Sequence, residues 1–75
     1  MPVAYLLINT EAFDPEILKT LRSIKGVEEA YAVYGVYDIV VRTKADTMSH
    51  LKDTHNKIRN LSKVRQTLTM IAHEG

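Results

Sequence analysis

Apolar positions along the chain follow two periods, one typical of β-strands and one typical of α-helices. Short runs rich in apolar residues predict four strands, which cover residues 3–8, 27–34, 37–43 and 64–72. Between the first two strands, Asp14 is placed to cap a helix and Pro15 fits its first turn. Gly26 is placed to end that helix as a left-handed cap residue.

The second half of the chain repeats this order of strand, helix and strand. Asp46 or Thr47 is placed to cap a second helix. The apolar stripe of that helix has spacings of three, four and three residues, and consists of Met48, Leu51, His55 and Ile58.

Two such units joined by a tight turn predict an α+β, ferredoxin-like βαββαβ fold. Both helices are expected on one face of a four-stranded antiparallel sheet. With 75 residues, the whole chain (1–75) is expected to be a single domain. Alternation along the second strand places Val27, Tyr31 and Val33 on one face.

The first strand is apolar on both faces, since Tyr5 and Leu7 alternate with Leu6 and Ile8. Helices cover only one face of the predicted sheet, and a face left to water would alternate with polar residues. We therefore expect a second copy to cover the other face, with the two sheets packed about 10 Å apart. The result would be a homodimer of the dimeric α/β-barrel type.

Charge and composition exclude several classes of partner. The formal net charge is +1, which gives no electrostatic footprint for nucleic acid. Cysteine is absent, so disulfides and thiolate metal sites are excluded. The apolar run 3–8 is too short to cross a membrane, and no secretory signal precedes it. We expect a soluble, cytoplasmic protein with no cofactor, no direct nucleic-acid contact and no membrane contact.

The histidines do not predict a metal site or a catalytic site. His50 and His55 are five residues apart, whereas a metal pair on a helix has a spacing of three or four. His55 lies on the apolar stripe, which is typical of a core histidine, and His73 is expected to be exposed near the end of the chain. No serine has a neighbouring His–Asp pattern. The chain is therefore not expected to be an enzyme.

The turn between the halves, residues 34–38, is one candidate for a binding site. Gly35 permits a backbone conformation with positive φ and leaves its amide open to a ligand. Asp38 follows, and its carboxylate can accept from an ammonium group or from the turn amides. The alternative is a simple hairpin in which Asp38 satisfies its own backbone.

Two threonines on the last strand are a second candidate. Thr67 and Thr69 are two residues apart, so both hydroxyls face the same way. They could bracket a small zwitterion beside the glycine turn, or could simply reflect the preference of threonine for strands.

These two segments resemble the C-terminal effector domain of the Lrp/AsnC family of transcriptional regulators. Residues 35–41, Gly-Val-Tyr-Asp-Ile-Val-Val, match its pattern of Gly, any residue, Tyr or Phe, Asp and then apolar residues. Residues 64–69 match its threonine-rich closing strand, and residues 24–27 resemble the end of its first helix. The resemblance covers essentially the whole chain. This domain is also called the regulation of amino acid metabolism (RAM) domain.

The resemblance implies properties that the spacing of residues does not show. Domains of this kind form sheet-to-sheet dimers, often assemble into larger oligomers, and bind free amino acids between dimers. The implied ligand-binding positions are Gly35, Val36, Tyr37 and Asp38 in the turn and Thr67 and Thr69 on the last strand.

The chain departs from typical members in one respect. Those members begin with a helix-turn-helix DNA-binding domain, whereas residues 1–2 here lead directly into the first strand. We expect an amino-acid sensor without a DNA-binding domain that modulates transcription or amino-acid metabolism through partners such as full-length Lrp/AsnC regulators. One alternative is a ligand-free adaptor that docks on such regulators. Another is a small dimeric α+β barrel enzyme, for which His55 is the only candidate.

Overall fold

The computed structural model describes residues 1–12 and 14–72, so the expectation for His73 lies outside the described residues. The elements along the chain are β1 (Val3–Thr10), α1 (Pro15–Ser23), β2 (Val27–Ala32), β3 (Ile39–Lys44), α2 (Met48–Arg59) and β4 (Val64–Ile71). The strands form one antiparallel sheet in the order β2-β3-β1-β4. This confirms the predicted ferredoxin-like βαββαβ fold.

The core lies between one face of the sheet and the two helices. Alternate residues of β1 and β3 are buried on this face, as the period of a strand requires. From the helices, Ile17 and Leu21 of α1 and Ile58 of α2 pack against them. The buried strand residues in this cluster are Leu6, Ile8, Ala30, Ile39 and Val41.

Each helix begins at a polar cap. The carboxylate of Asp14 accepts from the amide of Glu16 at 3.0 Å, as predicted. Its other oxygen lies 2.6 Å from the Lys63 ammonium. The hydrogen bond from Lys63 is the main reason why the pKa of Asp14 is lowered. For α2, the cap is Thr47, whose hydroxyl accepts from the amide of His50 at 3.1 Å.

The first helix ends earlier than predicted. Its last residue is Ser23, and the amide of Ile24 closes it by donating to the Leu21 carbonyl at 3.1 Å. Gly26 lies two residues beyond Ile24, in the turn before β2, with φ of +100°. The positive φ agrees with the prediction, but its role as the cap residue does not, because Gly26 belongs to the turn.

The second strand carries an irregularity that its sequence does not reveal. Its pairing with β3 shifts between Val27 and Glu29, which is a β-bulge. As a result Val27 lies opposite Thr43 on the helix side, whereas Tyr31 lies opposite Val40 on the other side. The predicted shared face of Val27, Tyr31 and Val33 is therefore wrong. Val33 itself lies outside the strand, because β2 ends at Ala32.

The sheet face without helices carries an apolar row that crosses all four strands. Register places Tyr31, Val40, Leu7 and Leu68 side by side in that row. Tyr31 is 52% exposed and Leu68 is 45% exposed. We call this surface, with Tyr5 and Met70 of the next row, the open sheet face.

Among the described residues, no helix is long and apolar enough to cross a membrane.

The two glycines with positive φ should differ in what they contribute to stability. A Cβ at Gly26 would lie 2.5 Å from Thr54 Oγ1, whereas one at Gly35 (φ +141°) would meet nothing within 4 Å. We expect Gly26→Ala to lower the free energy of unfolding by about 1–3 kcal/mol, because backbone strain and a clash add together. We expect Gly35→Ala to cost less, since only the strain applies. Urea denaturation of both variants tests this, and equal losses would contradict it.

Candidate functional site

The loop between β2 and β3, residues 33–38, is fixed at its base. The amide of Val33 donates to the Asp38 carbonyl at 2.8 Å, which closes the loop. The amide of Asp38 donates to the Ile8 carbonyl at 2.9 Å, which attaches the loop to β1. The sheet therefore holds the position of the loop at both ends.

The carboxylate of Asp38 strengthens that attachment. Its Oδ2 accepts from the Thr10 amide at 2.9 Å and from the Thr10 hydroxyl at 3.3 Å. The simple hairpin in which Asp38 satisfies its own backbone is therefore not observed. Within residues 1–12 and 14–72, Oδ1 of Asp38 has no hydrogen-bond partner, and this oxygen is not buried. One carboxylate oxygen holds the loop, and the other is open to solvent.

The tip of the loop presents backbone donors to solvent. Tyr34, Gly35 and Val36 are exposed, and Tyr37 is partly buried. In the part of the chain that the structure describes, the amides of these four residues donate no hydrogen bond to the protein. Exposed amides donate to water, and a ligand carboxylate can replace that water as the acceptor. Gly35, with no side chain and open space around it, leaves the backbone accessible.

The two threonines of β4 share a face, as predicted, but they lie away from the loop. Thr67 pairs with Ile8 and Thr69 pairs with Leu6, on the side that the helices cover. The Thr69 hydroxyl accepts from Arg59 Nη2 at 3.3 Å. Because β1 lies between β3 and β4, Thr67 is two strands, or about 10 Å, from Ile39 at the start of β3. Within one chain, the threonines and the loop tip do not converge.

The histidines agree with the core interpretation. His55 is buried, and its Nε2 lies 2.9 Å from the Thr43 hydroxyl. Burial, and secondarily the charge of Arg59, lowers the pKa of His55 below its ordinary value of 6.5. His50 is exposed. Among the described residues, no group of three or more His, Asp or Glu side chains is arranged to hold a metal ion.

Sequence reasoning missed Thr10 as a partner of the loop. It lies 28 residues from Asp38 along the chain, and only the pairing of β1 with β3 brings the two together. The one available signal is a hydroxyl residue two positions after the first apolar run, which is too common to indicate a contact.

The family is decided by a match over nearly the whole chain. Residues 4–74 match the family model described as the Lrp/AsnC ligand binding domain. The chain belongs to the Lrp/AsnC family. The resemblance inferred from residues 35–41 and 64–69 is thereby confirmed.

Solved structures of similar proteins agree with this assignment. A protein described as FFRP-DM1 is 38% identical, with a TM-score of 0.88, over 96% of this chain and 99% of its own. A hypothetical protein from Pyrococcus horikoshii is 36% identical, with a TM-score of 0.89, over 100% of this chain and 93% of its own. No curated protein matches the chain significantly.

A feast or famine regulatory protein from M. tuberculosis, complexed with L-methionine, shares the fold. It is 23% identical, with a TM-score of 0.83, over 100% of this chain and 52% of its own. This Lrp/AsnC chain therefore spans about half the length of that regulator.

The contact between Asp38 and Thr10 should stabilise the loop measurably. We expect Asp38→Ala to lower the free energy of unfolding by about 1–3 kcal/mol, because it leaves the Thr10 amide without its acceptor. In a double-mutant cycle with Thr10→Val, the two losses should not add, since the hydroxyl of Thr10 donates to the same oxygen. Asp46→Ala, at an exposed carboxylate, serves as the control. Additive losses would show that the hydroxyl contact is unimportant.

Proposed function

We propose that this Lrp/AsnC domain is an oligomeric amino-acid sensor with no catalytic role, which acts through partner proteins. The observation that carries the proposal is the loop 33–38, which is fixed at its base and open at its tip. Membership of a family of ligand-binding domains supports it. So does the methionine bound by the regulator from M. tuberculosis, which has the same fold.

The loop offers complementary groups for the two charged ends of an amino acid. The unengaged amides of residues 34–37 would donate hydrogen bonds to the ligand carboxylate. The open Oδ1 of Asp38 would accept from the ligand ammonium, while Oδ2 keeps its bonds to Thr10. This division of roles lets Asp38 hold the loop and bind the ligand at the same time.

A complete site in this proposal needs a second copy. Thr67 and Thr69 are too far from the loop of their own chain to share a ligand with it. A neighbouring copy would therefore bring its threonines to this loop. A ligand held between copies stabilises the assembly by mass action, which would couple amino-acid concentration to oligomeric state.

The open sheet face supports dimerisation as the first step of assembly. Two such faces packed against each other would cover the row formed by Tyr31, Val40, Leu7 and Leu68. The small core of a 75-residue domain also benefits from association. In this proposal, the expected protein partners of the chain are full-length Lrp/AsnC regulators, which would carry a domain of the same kind.

The enzyme alternative finds no support at His55. Its ring is buried and lies within hydrogen-bonding distance of the Thr43 hydroxyl, which favours a role in the core over a catalytic one. The adaptor alternative shares the open sheet face, and differs only in having no ligand at the loop.

Thermal stability in the presence of amino acids tests the sensor directly. At about 100 times its dissociation constant, a ligand should add about 2.7 kcal/mol, or several degrees in Tm. We expect one or a few of the twenty amino acids, each at about 5 mM, to raise Tm. Gly35→Val should abolish the response, because a β-branched residue cannot keep φ of +141°. The same variant should remain folded, since the space around position 35 is open.

Two variants of the same residue on β4 distinguish loss of a ligand contact from a structural change in the strand. Thr67→Val should weaken the response, whereas Thr67→Ser keeps the hydroxyl and should retain it. If no amino acid changes Tm while Tm still rises with protein concentration, the ligand-free adaptor becomes the better description.

Dimerisation through the open sheet face can be tested on the same strand. Leu68 is 45% exposed and lies on the open sheet face, while Ile71 is 52% exposed and lies on the other face. We expect Leu68→Lys to shift the protein towards monomer, because it places a charge within the proposed dimer contact. Ile71→Lys should leave the oligomeric state unchanged. Analytical ultracentrifugation measures both, and equal effects would count against this interface.

A further inference from the structure

A cavity of about 530 Å³ lies at the end of the sheet opposite to the loop 33–38. The turn between α1 and β2, the end of β3 and one side of α2 form its walls. Because β1 runs from this end to Thr10, the cavity and the loop are about 20 Å apart. Its volume lies within the range of small-molecule sites, which is roughly 300–1,000 Å³.

Hydrogen bonds hold the walls of this cavity in place. The Thr54 hydroxyl lies 3.1 Å from the Lys25 carbonyl and 3.2 Å from the His50 carbonyl, and joins the turn to α2. The amide of Lys44 donates to the Gly26 carbonyl at 2.9 Å, and joins the same turn to β3. The shape of the cavity is therefore a property of the folded chain and does not require a ligand.

The lining carries charges of both signs that do not pair with each other. Three ammonium groups come from three separate elements: Lys25 from the turn, Lys44 from β3 and Lys57 from α2. There are also two carboxylates: Asp46 lies just before α2, and Asp53 lies in α2. Within residues 1–12 and 14–72, none of these five groups lies in a salt bridge.

Glu28 differs from the other charged residues of the lining because it has a salt-bridge partner. Glu28 also lines the cavity, but its carboxylate pairs with Arg42 at 3.4 Å, so it is already engaged. The remaining five charged groups come from the turn, from the end of β3 and the residues after it, and from α2, where Asp53 and Lys57 lie one helical turn apart. A ligand that carries both signs would contact ammonium groups and carboxylates of the lining at once.

We propose that this cavity is a second ligand site, which binds a small ampholyte of the size of a short peptide. The ligand carboxylate would contact the ammonium groups of Lys25, Lys44 and Lys57. Its amino group would contact Asp46 or Asp53. The site shares no residue with the loop 33–38, so it is independent of the sensor proposed above.

Backbone amide shifts in NMR spectra of the ¹⁵N-labelled chain test the proposal. The probes are Ala-Ala, Ala-Glu and Lys-Ala, each free, N-acetylated or C-amidated. We expect at least one free dipeptide to give saturable shifts at the amides of Gly26, Lys44 and Thr54. Either blocked form should bind roughly tenfold more weakly, because a charge-assisted hydrogen bond is lost.

Variants on α2 provide matched controls. Lys57→Gln and Asp53→Asn should each weaken binding roughly tenfold, for the same reason. Lys52→Gln, which removes an exposed ammonium of the same helix outside the cavity, should leave it unchanged. The proposal is overturned if no dipeptide shifts the cavity amides, or if Lys52→Gln weakens binding as much as Lys57→Gln.

Two further outcomes are distinguishable in the same spectra. If inorganic phosphate alone gives the same shifts and blocking the amino group has no effect, the cavity is an anion site and the ampholyte proposal is wrong. Shifts at residues 34–38 that single amino acids produce would support the sensor, whereas the cavity proposal is decided by the dipeptide shifts at Gly26, Lys44 and Thr54. Failure of one proposal therefore leaves the other intact.

Discussion

The structure depends on the two-sided apolar character of β1. This strand lies between β3 and β4, so its backbone groups are paired on both edges. Its residues Leu6 and Ile8 build the core with the helices, and Leu7 lies at the middle of the open sheet face. Its last residue, Thr10, holds the carboxylate of Asp38. One segment of eight residues thus links the core, the open sheet face and the candidate ligand loop.

The order of the elements could be predicted from the sequence because each one carries a local signal. Apolar periodicity separated strands from helices, and Asp14 marked the start of α1 by its own chemistry. The prediction fails where strand pairing, and not the alternation of apolar residues, determines which face a residue occupies. The bulge next to Glu28 depends on the register of β2 against β3, and nothing in the alternation of β2 indicates it. The strand ends next to the loop also differ from the prediction: the strands predicted over 27–34 and 37–43 stop at Ala32 and start at Ile39, because residues 33, 34, 37 and 38 belong to the loop.

The candidate site was predictable in its residues but not in its geometry. Gly35 and Asp38 stand out because a turn glycine leaves its amide accessible and a nearby carboxylate can accept from turn amides or from an ammonium group. That Asp38 divides its two oxygens between Thr10 and solvent depends on a contact across 28 residues. The separation of Thr67 from the loop follows from strand order, which the spacing of two threonines cannot give.

The bulge in β2 also sets which changes in chain length the fold can absorb. One extra residue near Glu28 allows Val27 to face the helices while Tyr31 faces the opposite side. Deletion of a single residue there would restore regular alternation and turn either the start or the remainder of the strand over. Insertions at the tip of the loop 33–38 would leave every strand in register, because the base of that loop is fixed independently. Length variation among relatives should therefore be tolerated at one end of β2 and selected against at the other.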